Sequence, residues 1–102
     1  MDKNFSNLIE LIEYSSGGVL SKVIVKTDNA NITLFCMSKN TDVSEHTSTK
    51  QGFIYVIEGR GIFNLEGKDI KMLPGVFIRL GKNAKHSLKA EENTSFLLSL
   101  TD

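Results

Sequence analysis

The chain has 102 residues, 12 Lys+Arg against 12 Asp+Glu, two histidines, one cysteine and no tryptophan. That length makes one domain with a core of its own, and 40% hydrophobic with 24% charged residues is the composition of a globular chain, against extensive disorder. Zero net charge argues against nucleic acid, which needs a local excess of Lys and Arg. No run approaches the ~18 apolar residues of a membrane span. The start, Met1-Asp2-Lys3-Asn4, lacks a basic stretch leading into an apolar run, so no signal peptide is expected. Cys36 has no second cysteine to pair with, which suits a reducing, cytoplasmic setting.

In chain order, Leu8, Ile9, Leu11 and Ile12 have helical spacing, and Asn7 with Glu10 resembles a capping box. A short strand is the other reading of this stretch. Ser15-Ser16-Gly17-Gly18 breaks it, so residues 1–18 are expected to pack on a barrel formed by 19–102. From there on the signals are for strands. Val23 and Val25 lie in the first, and Asp28-Asn29-Ala30-Asn31 reads as a turn. Ile32–Met37 carries apolar side chains on both faces, as a strand covered on two sides would. After the Lys39–Asp42 turn comes a short segment over Glu45–Thr49, then the strongest strand, Phe53–Ile57. Glu58-Gly59-Arg60-Gly61 reverses the chain into Ile62–Leu65, and Glu66-Gly67-Lys68-Asp69 reverses it again. Further strands are predicted at Ile70–Leu73, Val76–Leu80, His86–Ala90 and Phe96–Leu100. Eight or so short strands separated by turns predict an all-β barrel or jelly roll.

The residues at the turns and on two of these strands resemble the cupin superfamily, the double-stranded β-helix barrels. Its first motif, G-x5-H-x-H-x3-4-E-x6-G, falls here on Asn40, His46, Ser48, Gly52 and Gly59, with His46 and Gly59 matching by type. Its second, G-x5-P-x-G-x2-H-x3-N, falls on Gly75, Gly81, Asn83, His86 and Ala90, with Gly75 and His86 matching. Tyr55–Gly61, Leu73-Pro74-Gly75 and His86–Ala90 are similar to the phrases around those motifs. The resemblance runs from about Val19 to Leu100 and is strongest to small members with a reduced ligand set. Asn40 and Asn83 replace glycines, and asparagine is among the residues that best tolerate the positive φ such turns require.

Archetypal cupins hold a divalent metal with three histidines and one glutamate pointing into the barrel. The matching residues here are His46, Ser48, Gly52 and His86, so two imidazoles remain. The resemblance therefore implies at most a weakly held Mn, Fe, Ni or Zn on His46 and His86. Strand alternation places Ser48 on the face of His46 and turns Glu45 and Thr47 away, unless a bulge shifts the register. The bland reading of both histidines is a partly buried ring bonded to backbone or water at a barrel mouth. Cys36 reads as a core filler, with a ligand beside the histidines as its alternative. Arg79 reads as an outward charge or an anion anchor.

Three functions are compatible with these residues. The first is a binding module taking a small molecule in the barrel interior, with His46, Ser48 and His86 as its contacts. The second is a metal-dependent enzyme of oxygenase, isomerase or lyase type using His46 and His86; the missing carboxylate weighs against it. The third is a purely structural or partner-binding barrel, which predicts an interior filled by side chains without an accessible cavity. Small cupins commonly pair sheet against sheet, so a homodimer through the face carrying Phe53 and Tyr55 is expected.

Overall fold

The computed structural model describes residues 4–102; Met1, Asp2 and Lys3, on which part of the leader reading rests, lie outside it. One short helix, α1 (Leu8–Leu11), precedes nine strands. These are β1 (Val19–Lys26), β2 (Ala30–Met37), β3 (Asp42–His46), β4 (Gln51–Glu58), β5 (Gly61–Leu65), β6 (Lys68–Met72), β7 (Phe77–Leu80), β8 (His86–Ala90) and β9 (Thr94–Thr101). They form a five-stranded sheet in the order β1-β2-β9-β4-β7 and a four-stranded sheet in the order β3-β8-β5-β6, with every pairing antiparallel. The result is the jelly-roll barrel that the strand spacing predicts.

The inner faces of the two sheets meet in one apolar core. Met37, Ile54, Val56, Ile78, Leu80 and Phe96 come from the first sheet, and Phe63, Met72, Leu88 and Ala90 from the second. Period-2 alternation delivers them: in β4, Gly52, Ile54 and Val56 are buried while the odd positions between them are more open.

Turn chemistry explains the reversals. Glu66 and Gly67 both have positive φ and join β5 to β6 with two residues, the geometry of a type I′ hairpin turn. Asn40 and Asn83 stand at φ 68° and 64°, so both asparagines keep the left-handed turns expected of them. Gly59 has φ 108°, and a Cβ there would run into Asn93 O and Thr94, so only glycine closes this corner.

Some boundaries move. β2 starts at Ala30 because Thr27 makes the turn, its N–H donating to Ala30 O and its Oγ1 accepting from Ala30 N. β3 begins at Asp42 and ends at His46, earlier than the expected Glu45–Thr49 segment. The helix is a single turn, capped by Asn7 Oδ1 accepting from Ile9 N at 3.0 Å, and it buries no residue. Too short to be stable alone, it depends on anchors to the barrel. Tyr14 Oη donates to Glu58 Oε2 at 2.7 Å, and Lys22 Nζ donates to Leu11 O at 2.8 Å and pairs with Glu13. The segment so anchored crosses the outer face of the five-stranded sheet, and Leu34, Cys36 and Ser95 on that face are fully buried.

Candidate functional site

His46 and His86 are a directly opposed cross-strand pair, which explains their contact: opposed positions in an antiparallel pair hold Cβ atoms ~5 Å apart. The rings meet edge to face with centroids 4.1 Å apart. A bulge in β3 sets this geometry. Val43 opposes Leu88 and His46 opposes His86, so three residue steps on β3 match two on β8. Val43 packs against the core. Regular alternation from Val43 would have carried Glu45 inward opposite His86; the extra residue brings His46 there instead.

Each ring is pinned in the same way. His46 Nδ1 lies 2.8 Å from Ser44 O, and His86 Nδ1 lies 2.9 Å from Ala84 O. A carbonyl oxygen only accepts, so each Nδ1 carries the proton and donates it. In the neutral rings this assigns the lone pair to Nε2 on both side chains. Neither Nε2 is hydrogen-bonded among the described residues. His86 is buried and stacks on Phe63, planes 8° apart and centroids at 5.7 Å, while His46 is exposed at the end of its strand. Burial pushes the His86 imidazole below its ordinary value, and proximity to His46 adds to this against the opposing bond to Ala84 O. His86 is therefore neutral at neutral pH.

The pair lines a cavity of about 80 Å3 whose remaining lining is apolar, including Val43, Ile54, Phe63, Leu80, Leu88 and Leu98. This is well below the ~300–1,000 Å3 of drug-sized pockets. Water occupies ~30 Å3 in the liquid, so the space holds about two to three water-sized groups.

The other expected contacts are elsewhere. The strand ends at His46, so the alternation that would turn Ser48 inward stops; Ser48 Oγ accepts from Lys50 N and Ser48 O accepts from Asn83 N within the adjoining loops. Cys36 lies between the inward-facing Phe35 and Met37, on the opposite face of the sheet from the histidines, which removes it as their partner. It is a buried filler. Arg79 is exposed on β7 opposite Phe53.

Gly52, which stands where the resemblance expects the glutamate, is buried between Leu100 and Leu80, its partners in β9 and β7. A Cβ at this position would sit 3.0 Å from Leu100 Cδ2 and 3.3 Å from Ser99 O. A side chain at position 52 would therefore have to displace Leu100. No group of three His, Cys, Asp or Glu assembles to hold a metal among the described residues. Two imidazoles make half of a four-ligand centre; the other two positions are Ser48, in a loop, and Gly52, which has no side chain and packs against Leu100. The residues present do not fit the archetypal metal centre.

Sequence reasoning finds both histidines but misses the two carbonyls that pin them, the Phe63 stack and the leucine plug at Gly52. Only Leu100 leaves a trace, being apolar at an inward position of the last strand.

The Cupin domain family matches residues 33–100, two-thirds of the chain and both histidine strands. No curated protein matches the chain. Among solved structures, a conserved protein of unknown function from Streptococcus pyogenes superposes at TM-score 0.89 with 19% identity, covering 100% of this chain and 90% of its own. A cupin superfamily protein from Desulfitobacterium hafniense reaches 0.89 at 20% identity, over 97% and 95% of the two chains. A cupin 2 conserved barrel domain protein from Leptotrichia buccalis reaches 0.89 at 30% identity, with 95% of this chain matched to 47% of that one. With the motif spacing, the barrel and the family match in agreement, the chain belongs to the cupin family.

Proposed function

We propose that the chain is a binding module of the cupin fold whose interior takes a small molecule against His46 and His86, with any divalent metal held weakly. The observation that carries this reading is a pair of pinned histidines, each with its Nε2 unbonded within the chain, in the lining of an otherwise apolar cavity. The Nδ1 bonds and the exposure of His46 agree with rings that serve structure alone; the apolar cavity beside them favours a ligand. The alternative, a metal-dependent enzyme on the same two histidines, has the pinned tautomer in its favour, since metal-bound imidazoles commonly donate their second N–H to a carbonyl. Against it stands the carboxylate position, where Gly52 packs against Leu100.

A homodimer is part of the reading. Tyr55 and Phe77 are opposed on β4 and β7 and exposed, and Phe53 stacks on Phe77 at 5.7 Å. Phe5 and Ile9 extend this apolar surface along the N-terminal segment. Apolar side chains clustered in this way mark interaction surfaces. No helix among the described residues is long and apolar enough to cross a membrane. The buried free thiol of Cys36 suits a reducing compartment.

Calorimetry with Mn, Fe(II), Ni and Zn on the untagged protein tests the reading, and the same preparation should sediment as a dimer at micromolar concentration. Binding weaker than micromolar is expected for each ion. Tight, stoichiometric uptake abolished in both His46→Ala and His86→Ala would overturn the module in favour of the enzyme, and a monomeric sedimentation profile would remove the dimer.

A further inference from the structure

We propose that the interior site selects a neutral, compact ligand head that donates a hydrogen bond, an N–H or O–H on an apolar body, and discriminates against anions and pure acceptors. The proposal rests on the reading that the barrel interior takes a small molecule, and it names the chemistry of that molecule.

The polarity of the site is set by its hydrogen bonds. Both Nδ1–H donors are spent on backbone carbonyls, His46 on Ser44 O and His86 on Ala84 O. The nitrogen left on each neutral ring is Nε2, an acceptor in each case. Apart from the two histidines, the lining is made of Val, Leu, Ile, Phe and Met side chains. The site therefore has two side-chain acceptors and no side-chain donor. A carboxylate or phosphate entering it would lose its hydration and meet no N–H in return, a cost of several kcal/mol for a buried ion. A ketone or ether would leave both acceptors unmet. A donor meets one of them. Because the rings are cross-strand neighbours with centroids 4.1 Å apart, one small ligand can touch both.

Size narrows the class further. Benzene occupies an engineered cavity of about 150 Å3, and this one is about half that volume. It therefore admits one edge of a five-membered ring, with the rest of the ring and any longer ligand lying in the mouth on the side of the exposed His46.

Pyrrole and furan test this directly, being five-atom rings that differ in N–H against O, with acetate as the anion. Each is titrated into the full chain at pH 8, followed by the 15N resonances of the histidine rings and the methyl resonances of Leu80 and Leu98. Pyrrole is expected to move both Nε2 resonances and the methyls and to bind about fivefold tighter than furan, the worth of one net hydrogen bond; acetate should move neither set. In His86→Phe, which keeps a flat ring over Phe63, that advantage should fall at least by half while furan still binds. Furan binding as tightly as pyrrole, or acetate binding tightest, would overturn the donor selectivity and leave the binding module standing. Methyls unmoved by all three probes would sink both.

Discussion

Two polar pairs stand on opposite faces of the barrel wall, and they are finished differently. On the outer face, Tyr14 Oη donates to Glu58 Oε2 over the fully buried Cys36 and Ser95, and burial, reinforced by the neighbouring carboxylate, pushes the phenol well above its ordinary range. There the donor and acceptor meet each other, and the pair fastens the N-terminal segment to the sheet. On the inner face, His46 and His86 turn their donors to the backbone and leave two acceptors unspent beside a cavity. The first pair is closed and works within the fold. The second is open, and the buried His86 reaches its energetic optimum only when a third party meets its remaining acceptor. Burial alone does not separate a structural polar group from a receiving one; the direction of its last unspent donor or acceptor does.

The sharpest way to break the contrast is to give the open site the carboxylate that it lacks. Gly52→Glu should lower stability by about 3 kcal/mol in urea unfolding, from overpacking against Leu100 and a buried carboxyl group. It should not create tight metal binding. Adding Leu100→Ala should recover part of the stability and raise Ni or Zn affinity by calorimetry; full stability in Gly52→Glu alone would show that the leucine plug is soft. A smaller effect is expected at the closed pair. Tyr14→Phe leaves the part-buried Glu58 without its donor and should cost about 1 kcal/mol in thermal unfolding, with pyrrole affinity unchanged. A change in pyrrole affinity would show that the two faces are coupled. The smallest effect is in pH. His86 is held neutral in the fold, its folded pKa below the unfolded value of ~6.5. Its contribution is complete above that value and is lost as pH falls toward the lower folded one, because the unfolded chain binds the proton first. The unfolding midpoint should drop between pH 7 and 5, and His86→Phe should flatten that slope.

Much of the barrel is legible in the sequence because its signals are local. The turns at Asn40, Glu66-Gly67 and Asn83 are written in residues that accept positive φ, and the inward strand residues repeat with period 2. The doubly apolar β2 reads as covered on two sides, and its outer cover is the N-terminal segment. The features that escape are non-local or irregular. The bulge between Val43 and His46 has no sequence marker, yet it decides whether Glu45 or His46 faces inward. The burial of Gly52 by Leu100 joins residues 48 positions apart through the β4–β9 register, which a pattern along the chain does not contain. Ser48 falls inward only if an alternation is extended past the end of its strand, and the strand stops at His46.

The contact between Gly52 and Leu100 also constrains the order in which this barrel can change. A carboxylate arriving at position 52 meets a leucine already in its place, so the first step back toward a four-ligand centre is the costly one. Shrinking Leu100 first gives up the apolar surface that this partly buried side chain removes from water, which carries its own penalty. Either path crosses a less stable intermediate before any new chemistry offsets the loss. The packing therefore acts as a ratchet, making a two-histidine barrel easier to keep than to reverse.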